Sequence, residues 1–144
     1  QPLVGGEYLW HQDSTYLLTN PLSCLALWIA IDDANEKNGC LVVKPSSHKE
    51  KIRKRVKYIK GKIIKENLVN KEWDETNNVS LSVKTGSIIM FDGSLAHKSS
   101  ENFSKHSRNT YVMHFFDNNC KYSTENWLQR PLNFPFKNFY ETFN

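Results

Sequence analysis

His11 and Asp13 stand two residues apart in the run Trp10-His11-Gln12-Asp13. An imidazole nitrogen and a carboxylate oxygen are both good donors to a divalent transition metal. In a β-strand, residues i and i+2 share a face. His11 and Asp13 would then project side by side, with Trp10 and Gln12 pointing the other way. So arranged, they supply two ligands of a 2-His-1-carboxylate facial triad, the site that holds non-haem Fe(II) and leaves positions open for oxygen chemistry. The spacing alone is common, and a surface His and Asp at a strand end would read the same way.

The remaining polar residues arrive in a meaningful order. His97 follows a strand-like run, Ser87 to Phe91, and a turn at Asp92-Gly93. Coming from a different strand, it would complete the triangular ligand face. Arg108, eleven residues later, opens the strand Arg108 to Phe116, where Arg108, Thr110, Val112 and His114 share one face. An arginine there could hold a distal carboxylate through a bidentate, charge-assisted pair, and Thr110 could add a hydroxyl. Singly, His97 reads as a histidine capping a turn and Arg108 as a surface cation. In conjunction, His11, Asp13, His97 and Arg108 have the functional plan of a 2-oxoglutarate oxygenase: three protein ligands for iron and a cation for an organic co-substrate. Of the other histidines, His48 follows the turn Pro45-Ser46-Ser47 and reads as structural. His106 lies in a polar loop, and His114 shares a face with Arg108 and could hydrogen-bond inside the barrel.

The elements that must position these residues read as strands. Cys24 to Ile31 is an unbroken apolar run of eight, which suits a strand buried on both faces. Asp32 to Gly39 is turn chemistry, and Cys40 to Val43 is a short strand closed by Lys44-Pro45. Leu81 to Phe91 is strand-like with a break at Lys84-Thr85-Gly86. Residues 1–9, with Gly5-Gly6, read as loop, and the aromatic stretch Trp127 to Phe143 as an irregular segment packed over the core. Several short strands with little helix indicate an all-β sandwich or barrel. The segment from Lys49 to Asn78 differs, crowding Lys and Arg between apolar residues. It reads as a basic insertion, either a short helix or a hairpin: a solvated loop, or a patch for an anionic partner.

A chain of 144 residues suffices for one domain with one core, and 39% apolar and 12% aromatic residues argue against disorder. The net charge of +4 is too small to argue for nucleic acid without a pattern, and Tyr58 alone does not make the interleaved aromatics such binding needs. No apolar run is long enough for a transmembrane helix. Cys24, Cys40 and Cys120 are odd in number and widely spaced, which suits free thiols in a reducing compartment. The cytoplasm is the default expectation; a peroxisomal or other signal upstream of Gln1 would lie outside this sequence.

The chain resembles the phytanoyl-CoA dioxygenase (PhyH) family of Fe(II)/2-oxoglutarate oxygenases. The resemblance runs through His11-Gln12-Asp13, Leu27 to Ala34, Asn38-Gly39-Cys40-Leu41, Pro45-x-Ser47-His48, Gly86-Ser87, Phe91-Asp92-Gly93, His97-Lys98-Ser99, Ser107-Arg108 and Tyr111-x-x-His114. Glu125-Asn126-Trp127-Leu128 resembles the tail of the family's domain-containing protein 1 branch. The resemblance implies a double-stranded β-helix (jelly-roll, cupin-like), here the C-terminal part of a single domain, residues 1–144, with the insertion at 49–78. It implies His11, Asp13 and His97 as Fe(II) ligands, and Arg108 as the partner of the 2-oxoglutarate C5 carboxylate. Trp28 falls where the family has a wall residue near the co-substrate, and Ser107 and Thr110 are further candidates. A domain begun just before its first metal ligand is expected to leave sheet edges and an apolar face uncovered.

The expected activity is hydroxylation of a C–H bond in a small lipophilic or acyl-CoA-like substrate, using dioxygen and turning 2-oxoglutarate into succinate and carbon dioxide. The cations of the insertion, Arg53, Lys54 and Arg55 among them, could meet CoA phosphates. The alternative is a jelly-roll that binds metal or 2-oxoglutarate without turnover.

Overall fold

The computed structural model describes residues 6–139. They form eleven strands and three short 3-10 turns. The first strand, β1 (Tyr8–His11), begins where the sequence suggests loop; Gly5 and residues 140–143 of the tail lie outside the described residues. β2 (Thr19–Asn20) and β3 (Leu25–Ala30) follow, then β4 (Leu41–Val43). A hairpin of β5 (Lys54–Ile59) and β6 (Lys62–Asn67) comes next. The chain continues through β7 (Val79–Leu81), β8 (Ile88–Asp92), β9 (His97–Ser99), β10 (Thr110–Phe115) and β11 (Lys121–Tyr122).

Two antiparallel sheets carry the core. One has the order β1-β9-β4-β7, the other β10-β3-β8. Between them lie Ala26, Trp28, Ala30, Ala34, Cys40, Leu41, Val43 and Phe91, with Leu81, Val83, Ile89 and Leu95 at the margin. This is the double-stranded β-helix, or jelly-roll, expected from the sequence, in which two sheets bury their facing sides.

β3 departs from its sequence reading. Its inward residues Ala26, Trp28 and Ala30 are buried, whereas Leu27 and Ile29 are only half-buried and Leu25 is exposed. The same alternation continues into its partners. Tyr111, Met113 and Phe115 lie opposite Ile29, Leu27 and Leu25 on one side, and Ile88 and Met90 lie opposite Ile29 and Leu27 on the other. Tyr111, Ile88 and Met90 remain 57%, 61% and 65% exposed. Among the described residues little packs on this outer face, so an apolar run that could bury both faces buries one.

The segment between Lys49 and Asn78 resolves into a hairpin. Lys60 and Gly61 both have positive φ, at 49° and 79°, between the paired Ile59 and Lys62. Two positive-φ residues in a two-residue loop are the signature of a type I′ turn, whose twist matches that of the strands. Its arginines are not a surface patch. Arg53 is buried, donating to the Lys71 and Glu72 carbonyls and to Glu50 at 2.7 Å, with its guanidinium 3.3 Å from the Trp73 ring centre. Arg55 is buried too, donating to the Thr15 carbonyl, Ser123 Oγ and Asn126 Oδ1. Two of the three cations expected to meet CoA phosphates are therefore interior structural groups. Lys54 is exposed and lies 3.3 Å from Glu72.

The tail from Trp127 is irregular, as expected. Phe136 packs on Phe116 and Tyr122, and Phe139 on Phe115. All three cysteines are free. Among the described residues no helix is long and apolar enough to cross a membrane.

Candidate metal centre

His11 closes β1 and His97 opens β9, and the two are direct partners in the β1–β9 ladder. Facing positions of an antiparallel pair bring side chains within a few ångströms, and the two rings sit with centroids 4.1 Å apart. Asp13 reaches the same point by another route. It does not continue the strand: Gln12 is extended, and Asp13 opens a 3-10 turn, Asp13–Thr15. The side-by-side projection expected from strand spacing is thus replaced by a strand end followed by a turn. That turn aims the carboxylate back toward the two rings. Asp13 Oδ1 lies 3.6 Å from His11 Nε2 and 3.7 Å from His97 Nε2.

The turn is pinned on both sides of Asp13. Ser14 N–H donates to the Gly93 carbonyl at 2.9 Å, and Gln12 Nε2 donates to the Ser94 carbonyl at 2.8 Å. Gln12 Oε1 accepts from Arg53 N–H at 3.0 Å, so the hairpin braces the same turn from behind. Gln12 is fully buried. Its place opposite His11 was legible in the sequence; its role as a bracket was not, because both its partners lie far along the chain.

The protonation pattern suits metal binding. His11 Nδ1 lies 2.8 Å from the Leu9 carbonyl and His97 Nδ1 lies 2.9 Å from the Leu95 carbonyl. A carbonyl only accepts, so Nδ1 carries a hydrogen in both rings and Nε2 is the nitrogen each ring turns to the centre. Burial, with the neighbouring His97 ring, holds the His11 imidazole down at about 4, so the ring is neutral near pH 7. Burial pushes the Asp13 carboxyl up, but His114, His97 and His11 around it outweigh this and hold it below its ordinary value. Asp13 Oδ2 is buried and lacks a hydrogen-bond partner. Two imidazoles and a buried, under-satisfied carboxylate, with ligand atoms all within 4.8 Å of one another, fit a divalent cation.

A cavity of about 390 Å³ opens beside this cluster. Trp28, Leu41 and Phe91 line its apolar side, and Arg108, Thr110 and Ser99 its polar end. Trp28 and Thr110 reach it because both lie on the inner face of the β10-β3-β8 sheet. Arg108 lies two residues ahead of β10; one guanidinium nitrogen is 3.4 Å from Ser99 Oγ, and its buried Nε has no partner. Burial lowers the Arg108 pKa from its ordinary value, yet a guanidinium stays charged. Among the described residues no carboxylate pairs with it. A half-buried fork with no carboxylate partner, across a cavity from a cation site, fits an anionic ligand.

Ser107 is not brought to this cavity: its hydroxyl donates to Asp32 at 2.8 Å, on the far side of the strand end. His48 is exposed in a 3-10 turn, and the His106 carbonyl accepts from Asn102 and Ser104 in a loop. Tyr8, whose ring packs edge-on against His11 at 4.5 Å, belongs to the site although the sequence reading left it in a loop. A second cavity of about 290 Å³ adjoins His11, Asp13 and His114 and is walled by Tyr8, Tyr16, Leu17, Trp127 and Leu128.

A sequence model of the phytanoyl-CoA dioxygenase (PhyH) family matches residues 1–110, a span that includes His11, Asp13, His97 and Arg108. The chain is 40% identical over 134 residues to phytanoyl-CoA dioxygenase 1 of Oryza sativa subsp. japonica, covering 92% of this chain and 47% of that protein. It is 37% identical over 145 residues to phytanoyl-CoA dioxygenase domain-containing protein 1 of Danio rerio, covering 97% of this chain and 50% of that protein. The chain thus spans about half the length of these curated relatives. Among solved structures it resembles EvdO2 from Micromonospora carbonacea var. aurantiaca complexed with 2-oxoglutarate, with a TM-score of 0.66 and 21% identity over 87% of this chain and 51% of that one. It also resembles the non-heme alpha ketoglutarate dependent carbocyclase SnoK from nogalamycin biosynthesis, with a TM-score of 0.67 and 23% identity over 85% of this chain and 47% of that one. These likenesses bear on the fold; the sequence matches bear on descent, and by them the chain belongs to the phytanoyl-CoA dioxygenase (PhyH) family.

Proposed function

We propose that this chain carries the metal and co-substrate sites of an Fe(II)- and 2-oxoglutarate-dependent dioxygenase, with His11, Asp13 and His97 as iron ligands and Arg108 as the partner of the far carboxylate of 2-oxoglutarate. One observation carries the reading: two imidazole Nε2 atoms and one carboxylate oxygen converge beside a cavity whose other end is a half-buried arginine with a buried, unpartnered Nε. Bound iron with 2-oxoglutarate and dioxygen would supply the oxidising power to hydroxylate a C–H bond, with succinate and carbon dioxide as co-products.

The chain's own residues hold and orient. The carbonyls of Leu9 and Leu95 fix both rings with Nε2 toward the centre. The Arg108 fork offers two parallel N–H donors to a planar carboxylate, which sets the direction of a dicarboxylate along the cavity. Thr110, at the polar end, can donate its hydroxyl to the same group. Trp28, Leu41 and Phe91 keep water from the apolar side.

The substrate class we propose is a small lipophilic molecule or acyl chain. The cavity of about 290 Å³ beside His11 and Asp13 has aromatic and aliphatic walls, which favours an apolar group next to the metal. Titration of 2-oxoglutarate into the Fe(II)-loaded chain without oxygen, followed by the visible charge-transfer band, tests the site. The band is expected in the wild type, absent in His11→Ala, and displaced to far higher 2-oxoglutarate in Arg108→Ala. No band in the wild type overturns the reading. A band without succinate release on admitting oxygen and candidate substrates favours the non-catalytic, metal-binding jelly-roll.

A further inference from the structure

His114 lies on β10 opposite Ala26 of β3, which is fully buried and leaves room for a ring on the inner face. Its Nε2 is 3.1 Å from Asp13 Oδ2. The two atoms are close without the alignment of a full hydrogen bond; both are buried and neither has another partner. The oxygens of Asp13 are therefore divided: Oδ1 faces the ring nitrogens of His11 and His97, and Oδ2 faces His114.

This division has a consequence for the site proposed above, on which the following inference rests. A carboxylate can hold a metal through one oxygen or two. Unpinned, it can turn away from the two rings; pinned at Oδ2, it presents Oδ1 to them. We propose that His114 is a positioning residue that donates its Nε2–H to Asp13 Oδ2, pinning the carboxylate so that Oδ1 stays turned toward His11 Nε2 and His97 Nε2. The role needs a donor at that place and nothing else of the imidazole. Partners of this kind around metal-binding carboxylates orient the ligand and are costly to remove.

Cobalt(II), which needs no exclusion of oxygen, is the probe. The 144-residue chain is titrated with cobalt(II), following its visible absorption, as wild type, His114→Phe and His114→Gln, with thermal melts alongside. The donor-less His114→Phe is expected to bind about tenfold or more weakly, with the amide donor of His114→Gln restoring affinity to within about threefold of wild type. If His114→Phe does not fold, His114→Leu takes its place. Wild-type affinity in the donor-less variant overturns the proposal and leaves the metal site standing. Equal weakening in His114→Gln overturns it in favour of a packing role. A wild-type chain that binds no cobalt removes the metal site itself, and the proposal with it.

Discussion

The backbone N–H of Ser14 donates to the carbonyl of Gly93 at 2.9 Å, joining two segments almost eighty residues apart in sequence. This bond ties the turn that presents Asp13 to the loop that leads into His97. Gly93 also donates its own N–H to the Cys24 carbonyl at 2.7 Å. A Cβ at position 93 would stand 2.6 Å from Cys24 Cβ and 2.7 Å from its Sγ. Both belong to a short, buried side chain with little freedom to withdraw. Gly93→Ala is therefore expected to destabilise the fold by about 1–3 kcal/mol and to weaken cobalt(II) binding, because Asp13 and His97 move apart. A thermal melt and a metal titration check the two effects separately.

Gln12 offers a second handle on the same turn. Its side chain satisfies the Ser94 carbonyl and the Arg53 N–H, both buried. Gln12→Leu keeps the size and strands both partners. Each orphaned buried group costs roughly 1–3 kcal/mol, so the urea midpoint should fall markedly with the slope unchanged.

Arg108→Lys separates charge from geometry. The ammonium keeps the charge but lacks the planar fork. Affinity for 2-oxoglutarate is expected to fall by about tenfold or more, the equivalent of roughly 1.4 kcal/mol, while affinity for the metal alone stays at the wild-type value. Parallel titrations with and without 2-oxoglutarate read this out. Equal loss in both would mean that Arg108 supports the fold rather than the anion.

The basic hairpin makes a sharp contrast testable within one segment. Arg55 donates to Thr15, Ser123 and Asn126 in the interior, whereas Lys62 is exposed. Arg55→Ala should cost on the order of 3 kcal/mol, as several hydrogen bonds to a charged group are lost. Lys62→Ala should change stability by less than about 0.5 kcal/mol. Chemical denaturation of the two variants distinguishes an interior brace from a solvated face.

Thiol reactivity reports on burial near the site. Burial, then the Asp13 and Asp92 carboxylates, pushes the Cys24 thiol up to about 12. The thiolate, the reactive form, is thus scarce at pH 8. Cys40 is raised as well, chiefly by burial, while Cys120 is only half-buried. Iodoacetamide at pH 8 should modify Cys120 in the folded chain, with Cys24 and Cys40 reacting only after denaturation. Peptide mapping by mass spectrometry checks the order.

Much was determined by the sequence alone. Apolar runs bounded by turn signals set the strands around Leu25–Ala30, Leu41–Val43 and Ile88–Asp92, but an unbroken run such as Cys24 to Ile31 does not encode which side of a sheet is buried. The residue types at His11, Asp13, His97 and Arg108 announced a donor set and an anion partner, because few chemistries use that set in that order. What the tertiary structure decided was convergence. Asp13 meets the histidines from a 3-10 turn rather than from a strand, held by Gly93, Ser94 and Arg53, which no local pattern connects to it. Arg53 and Arg55 look like surface charge in a Lys-rich segment, yet their donors are satisfied inside the protein by carbonyls and by Asn126. Ser107, adjacent to Arg108 in sequence, turns away to Asp32, whereas His114, six residues on, reaches Asp13. A strand's period tells which face a side chain takes; only the packing of one sheet against another tells what it meets there.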